Sequence, residues 1–317
     1  MGGEVRNEEK TDRMAIIDEI KTSFIKGNML TRLIYLNLAV FLAIWIIFIF
    51  LYLFNVVSDK KNFEELFLPL LSVPAYLPNL ARKPWTLISY MFTHYEFYHL
   101  LSNLLFLYFF GRIFLQYFTG KNLLGVYILG GLSGAFFYLF VFNVFNRFKE
   151  AASEGVIPLK VSIALGASAS VMAVVFAIST YVPNHRMNLI FIGPVKIIHI
   201  ALVAFVLSSI IDISSNTGGK VAHIGGALFG YLFILRFRKG RDMTKSFSRL
   251  MDTIAGWFKP KSRIKVSHRK VETDMDYNKR KKDEQAEIDR ILEKIARAGY
   301  DSLTKAEKET LFKQSQK

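Results

Sequence analysis

Apolar residues run through this chain in long blocks separated by short polar stretches. Residues 33–54 (LIYLNLAVFLAIWIIFIFLYLF) contain no charged side chain. A helix of that length reaches across a hydrocarbon core about 30 Å thick. Further blocks follow at 97–118, 123–145, 161–182, 195–213 and 221–237. The pattern predicts six transmembrane helices, because irregular backbone cannot face lipid. The last block is short and glycine-rich, the weakest of the six by hydropathy.

Between the first two blocks, residues 55–96 form a long loop containing LFLPLLSVPAYLPNL at 66–80. Pro69, Pro74 and Pro78 forbid a continuous helix there. The piece is too broken to span and too apolar to lie in water, which predicts a segment in the membrane interface. Residues 1–32 mix acidic and basic side chains without the short apolar core of a secretory signal. Within them Ile16, Ile17, Ile20 and Phe24 share a helical face, as an interfacial or a plain soluble helix would arrange them. At the other end, Ile288, Ile291, Leu292 and Ile295 form an apolar stripe, Gly299 supplies a stop, and Thr304 with Glu307 reads as a capping box. The expected organisation is a cytoplasmic segment at 1–32, a six-span domain at 33–237, a basic linker at 238–282 and a helical hairpin at 283–317.

Composition supports a membrane protein. Hydrophobic residues make up 52% of the chain and charged residues 21%. A water-soluble fold with that balance would expose large apolar patches. The absence of cysteine excludes disulfide scaffolds, thiolate metal sites and cysteine nucleophiles. The net charge is +15, and the tail from 236 onward supplies +10 of it, from 23 Lys and Arg against 13 Asp and Glu. Charge concentrated in this way speaks against a nucleic-acid-binding surface. It suits retention of basic flanks on the cytoplasmic side. Lys21, Lys26 and Arg32 precede the first block, and Arg236, Arg238, Lys239 and Arg241 follow the last. Both termini are therefore expected in the cytoplasm, with residues 55–96 outside.

Polar side chains inside spans are costly and need a reason. Three groups stand out: His99-Leu-Leu-Ser102-Asn103, Gly166-Ala167-Ser168-Ala169-Ser170 and Ala222-His223-Ile224-Gly225-Gly226. Singly, each has an ordinary explanation. A membrane serine bonds back to the carbonyl one turn earlier, a histidine bonds a neighbouring helix, and small residues let helices approach. Together they say more. The predicted topology has the second, fourth and sixth spans entering from the same side, with Ser168 about 10 Å below the start of its helix. That brings the three groups to similar depth. A Ser168–His223 hydrogen bond would activate a serine nucleophile. His99 and Asn103, one helical turn apart, could present free donors to an oxyanion. No HExxH zinc helix and no pair of intramembrane aspartates offers a competing chemistry.

These motifs, with PWTLISYMFTH at 84–94, HLLSN at 99–103, GASAS at 166–170 and AHIGGALFG at 222–230, resemble those of rhomboid-family intramembrane serine proteases over about residues 33–237. The resemblance implies an all-α membrane protein: a six-transmembrane-helix rhomboid-like bundle, here with a small soluble C-terminal helical hairpin like that of some bacterial rhomboids. It implies Ser168 as nucleophile and His223 as general base, without a carboxylate partner. It also implies His99 and Asn103 as oxyanion stabilisers, and Gly166 and Gly226 as motif support. No cofactor or metal is expected. The partners are transmembrane protein substrates and the lipid bilayer. The alternative is a rhomboid-like protein with weak or no catalysis that binds membrane-protein clients. The sequence departs from the family pattern at Ala169, where the family has a second glycine, and at Met172, where a tyrosine often stacks on the histidine. It departs again at Thr86, which replaces the arginine of a Trp-Arg pair. The expected location is a bacterial inner membrane, as a multi-pass protein. The charge distribution makes the topology testable: a reporter enzyme fused after residue 237 is expected to stay on the cytoplasmic side, and activity on the outer side would reverse the orientation.

Overall fold

In the computed structural model, residues 22–24, 26–145, 163–190, 192–211, 217–258 and 274–315 are described. The amphipathic pattern read at 16–24 falls almost entirely outside them. The chain divides into two compact units, 1–258 and 259–317.

The larger unit is helical. Helix α1 (Met29–Leu53) starts at Asn28, whose side chain accepts from the Thr31 N–H. The long loop then breaks into short pieces: α2 (Lys60–Phe67), a 3-10 turn (Leu68–Leu70), strand β1 (Val73–Pro74), α3 (Leu77–Arg82) and α4 (Thr86–Ser89). Helices α5 (Phe97–Tyr117) and α6 (Gly120–Val144) follow. Strand β2 (Ile163–Ala164) leads into α7 (Ser168–Tyr181), and a hairpin of β3 (Arg186–Leu189) and β4 (Gly193–Lys196) leads into α8 (Ile197–Val206). A π-helical turn extends α8 through Leu207–Ile211, α9 covers Thr217–Phe237, and α10 covers Lys245–Phe258. Four of these helices, α1, α5, α6 and α9, are long and apolar enough to cross a membrane. The apolar blocks read at 161–182 and 195–213 become shorter helices, and the stretch read as a basic linker contains α10.

The fourth block shortens for a physical reason. Gly166 has φ +112°, a left-handed conformation that ends regular structure. The chain ahead of α7 is therefore extended, and Ser168 is the first helical residue instead of lying two turns down. Such backbone is tolerated at membrane depth only when protein satisfies it. Here β2 pairs antiparallel with β1 (Val73 opposite Ala164), and the Gly166 N–H donates to the Tyr90 carbonyl at 2.9 Å. The proline-broken loop is satisfied in turn. Lys83 Nζ donates to the Pro69 carbonyl, Trp85 Nε1 to Leu70, Ser89 Oγ to Leu71, and Asn143 Nδ2 to Ala75. Thr86, buried, donates to the Lys83 carbonyl at 2.7 Å. The loop is thus a scaffold for the chain that precedes α7, a role that its apolar composition did not reveal.

Helices α6, α7 and α9 form the centre. Their seam is made of small residues: Gly130 and Gly134 on α6, Ala169 and Ala173 on α7, and Gly226 and Gly230 on α9. A Cβ at Gly226 would overlap the Ala169 carbonyl, and one at Gly230 the Ala173 carbonyl. Gly134 faces the Ala169 methyl group, with 2.6 Å between that methyl and any added Cβ. The alanine that departs from the family motif is therefore matched by a glycine on the facing helix. At the far end of the seam, Arg238 reaches from the end of α9 to the last carbonyls of α7, at Thr180 and Tyr181. That closes the bundle end opposite Ser168.

The second unit contains two helices, α11 (Asp274–Ala298) and α12 (Lys305–Ser315). Ile291 is buried, Ile288 and Ile295 are half-buried, and Leu292 is exposed, so the stripe is narrower than its spacing suggests. Gly299 has φ +79°. The Thr304 N–H donates to Glu307 Oε2 at 2.8 Å, and these backbone and hydroxyl donors, with Lys294, hold the Glu307 carboxyl down at about 2. Lys294 also pairs with Glu307 at 2.9 Å.

The seam predicts a sharp contrast. Gly226→Val or Gly230→Val should force α7 and α9 apart and destabilise the bundle by about 1–3 kcal/mol or more. Gly256→Ala, which meets nothing within 4 Å, should not destabilise it. Thermal unfolding in detergent checks it, and equal melting of all three would refute the close-packed seam.

Candidate active site

The N-terminal ends of α5, α7 and α9 meet at one end of the bundle. Ser168 Oγ lies 2.7 Å from His223 Nε2. Both side chains are half-buried. The small-residue seam makes this approach possible, since bulkier residues at 226 or 134 would separate the helices. Because Ser168 opens α7, its N–H and the next two have no intrahelical acceptor and stand at the positive end of the helix dipole. Ser170 points elsewhere: its hydroxyl is buried against α6 at Gly131 and has no hydrogen-bond partner among the described residues.

His223 is oriented from the other side. Its Nδ1 lies 3.4 Å from Ser209 Oγ, on the π-helical turn that extends α8. Ser209 is buried and lies 3.5 Å from the Ser208 hydroxyl. A hydroxyl thus stands beside the nitrogen that a carboxylate orients in a triad. Sequence reasoning left this position empty, because it looked only for Asp or Glu and for an aromatic at 172. Met172 is buried at that place.

His99 and Asn103 lie near the same end, in the first two turns of α5. The His99 ring stands over Gly166: a Cβ there would lie 2.6 Å from His99 Cε1. Gly166 thus admits both the turn and the ring. Asn103 differs from the expectation of free donors. Its Nδ2 donates to the His99 carbonyl at 2.9 Å and faces His94 Nε2 at 3.3 Å. Its amide hydrogens therefore already have acceptors.

His94, which the sequence showed only as part of a flanking stretch, joins these parts. It is fully buried. Its Nε2 accepts from the Ala167 N–H at 3.2 Å and from Asn103 at 3.3 Å, while its Nδ1 faces the Phe92 carbonyl at 3.3 Å. This set of partners fits one neutral tautomer, protonated at Nδ1. Its ring packs edge-on against His99, with centroids 5.3 Å apart. The signal was available in a buried polar residue five positions before His99, but a lone histidine beside a span is too common to single out.

Comparisons with known proteins give the chain a family. Residues 81–240, half of the chain, match the Rhomboid domain family. The chain belongs to the rhomboid family. Residues 272–317 match a family of unknown function, DUF6576. The chain is 32% identical over 160 residues to RHOMBOID-like protein 12, mitochondrial, of Arabidopsis thaliana, which covers 49% of this chain and 47% of that protein. It is 26% identical over 174 residues to Presenilin-associated rhomboid-like protein A, mitochondrial, of Danio rerio, covering 52% of this chain and 42% of that protein. The chain thus spans less than half the length of either relative. This rhomboid-family chain is a mostly helical membrane protein, and its match to the domain family takes in Ser168, His223, His99, Asn103, Gly166 and Gly226.

His94 yields a prediction specific to the network. His94→Phe keeps an aromatic ring, somewhat larger, but strands the Ala167 N–H, a buried donor whose loss of a partner costs about 1–3 kcal/mol. The variant should melt lower in detergent, with Asn103→Ala giving a smaller loss. An unchanged melting temperature for His94→Phe would show that the network carries no stability.

Proposed function

We propose that this rhomboid-family protein is an intramembrane serine endopeptidase that hydrolyses peptide bonds in or beside transmembrane segments with a Ser168–His223 dyad. The observation that carries the reading is the 2.7 Å contact between Ser168 Oγ and His223 Nε2 at one end of an apolar bundle. In this reading His223 Nε2 takes the proton as Ser168 Oγ attacks the substrate carbonyl, and later returns it to the leaving amine. Water then releases the acyl group by the reverse sequence. The Ser209 hydroxyl holds the imidazole through Nδ1 in place of a carboxylate.

The oxyanion is assigned to the Ser168 N–H, the His99 ring and the Asn103 amide. Asn103 can serve although its donors are engaged. His94 Nε2 has one lone pair and meets two donors, so its bond to Asn103 is weak and shared. A negatively charged oxygen is the stronger acceptor and draws that N–H away, while His94 keeps Ala167. Gly166 and Gly226 support the site by admitting the His99 ring and the Ala169 carbonyl.

Substrates are proposed to be transmembrane proteins that reach the site from lipid, with their helix opened near it, since a helical carbonyl is hidden in its own hydrogen bond. Six spans are proposed, α7 and α8 being the two short ones, with both termini cytoplasmic. The proposed location is a bacterial inner membrane, although the names of both relatives carry the word mitochondrial. The proposed division keeps the spans at 33–237 apart from the hairpin at 283–317.

The test is cleavage of a model transmembrane substrate by purified protein in proteoliposomes. Ser168→Ala and His223→Ala should each abolish cleavage, and Ser170→Ala should not. Asn103→Ala should lower the rate by about a hundred- to a thousandfold, the effect of losing one oxyanion donor. A fluorophosphonate should label Ser168. Substrate binding without cleavage by the unaltered protein would instead support the client-binding alternative.

A further inference from the structure

The helix α10 that follows the last span is sharply two-sided. Phe247, Leu250, Met251, Ile254 and Trp257 fall on one face, at spacings of three and four. Lys245, Arg249 and Asp252 fall on the other. The apolar face is only partly used by protein. Phe247, Met251 and Ile254 are half-buried, while Leu250 is 56% exposed and Trp257 is 77% exposed.

This helix is held at a defined place. Asn122 Nδ2, at the start of α6, donates to Asp242 Oδ2 and to Thr244 Oγ1, both at 2.9 Å. The buried Thr244 packs against Gly125, where an added Cβ would come within 2.6 Å of it. Asp252 pairs with Lys121 at 2.7 Å. These anchors lie at the end of α6 opposite the Ser168 end, beside the end of α9. That is where the apolar surface of the spans gives way to the basic run Arg236, Arg238, Lys239 and Arg241.

We propose that α10 lies in the headgroup–acyl boundary of the bilayer, with Leu250 and Trp257 inserted into lipid and Lys245 and Arg249 at the level of anionic headgroups. Three observations point to lipid as the occupant. The exposed apolar edge adjoins spans whose own exposed residues need lipid. The polar face and the preceding run carry cations suited to anionic headgroups. The exposed pair includes a tryptophan, whose amphipathic ring favours this depth. A helix with a basic face and a Leu/Trp/Phe face beds about 5–10 Å into the boundary. The helix thereby fixes the height of α6 and α9 at their basic ends. The proposal rests on the chain being a membrane protein and is independent of its proteolysis.

The absence of cysteine from the chain makes a clean test. Leu250→Cys and, separately, Ala255→Cys, at an exposed position about 140° round the helix from Leu250, are spin-labelled in the full-length protein. Each is reconstituted at one copy per nanodisc of mixed zwitterionic and anionic phospholipid. Collisions with lipid-soluble oxygen and with a water-soluble nickel chelate are then measured. The label at 250 should meet oxygen and be shielded from nickel. Its oxygen-to-nickel ratio should be several-fold above that at 255, because the apolar side beds about 5–10 Å into the boundary. Nickel reaching both positions alike would overturn the proposal, since the helix would then lie in water. Shielding of position 250 from both reagents would also overturn it, since protein would then cover the face. If Leu250→Cys fails to fold, Trp257→Cys reports on the same edge with the same expected outcome.

Discussion

The structure depends on satisfying an irregular stretch of backbone inside an apolar bundle. The chain between β2 and α7 turns through the left-handed Gly166, so its peptide groups cannot bond within a helix. Lipid offers them no partner. Three groups around the site serve that stretch. Strand β1 pairs with β2 just ahead of it, the Tyr90 carbonyl accepts from Gly166, and His94 accepts from Ala167. Once these bonds are made, the first residue able to resume a helix is Ser168, which therefore stands at the mouth of α7 and not within its wall.

Close approach of three helices is the second condition, and it follows from side-chain size. Gly226 and Gly230 let α9 rest on the carbonyls of α7, and Gly134 accommodates the methyl group of Ala169. The departure from the family motif at 169 is thus a transfer of smallness from one helix to its neighbour. The same contact distance sets the reach from Ser168 to His223. Packing and proposed chemistry are two consequences of one seam.

The histidines divide the work by their hydrogen bonds. His94 is structural in its contacts, joining the backbone before Ser168 to the side chain of Asn103. His223 meets one serine at each ring nitrogen, Ser168 at Nε2 and Ser209 at Nδ1. His99 stacks over Gly166, and its position depends on a residue without a side chain. In the proposed reaction, Asn103 exchanges a shared neutral acceptor for a charged one, so the resting network is also the reserve from which the oxyanion donor is drawn.

Much of this was legible in the linear chain. Apolar blocks announced membrane helices because hydropathy acts locally and over about 20 residues. The positions of Ser168, His223, His99 and Asn103 stood out because polar groups inside apolar blocks are costly. Small residues at 226 and 230 pointed to close helix packing. Tertiary structure decided the rest. The shortening of α7 depends on the φ of one glycine, which no periodicity reports. The use of the proline-broken loop as a partner strand is a pairing across about ninety residues. Ser209 and His94 acquired meaning only from neighbours 14 and 73 positions away. The residues after 238 read as a linker because net charge dominates their composition, yet Phe247, Leu250, Met251, Ile254 and Trp257 align once the backbone is helical. Local composition determines what a segment can bury; only the folded neighbours determine against what.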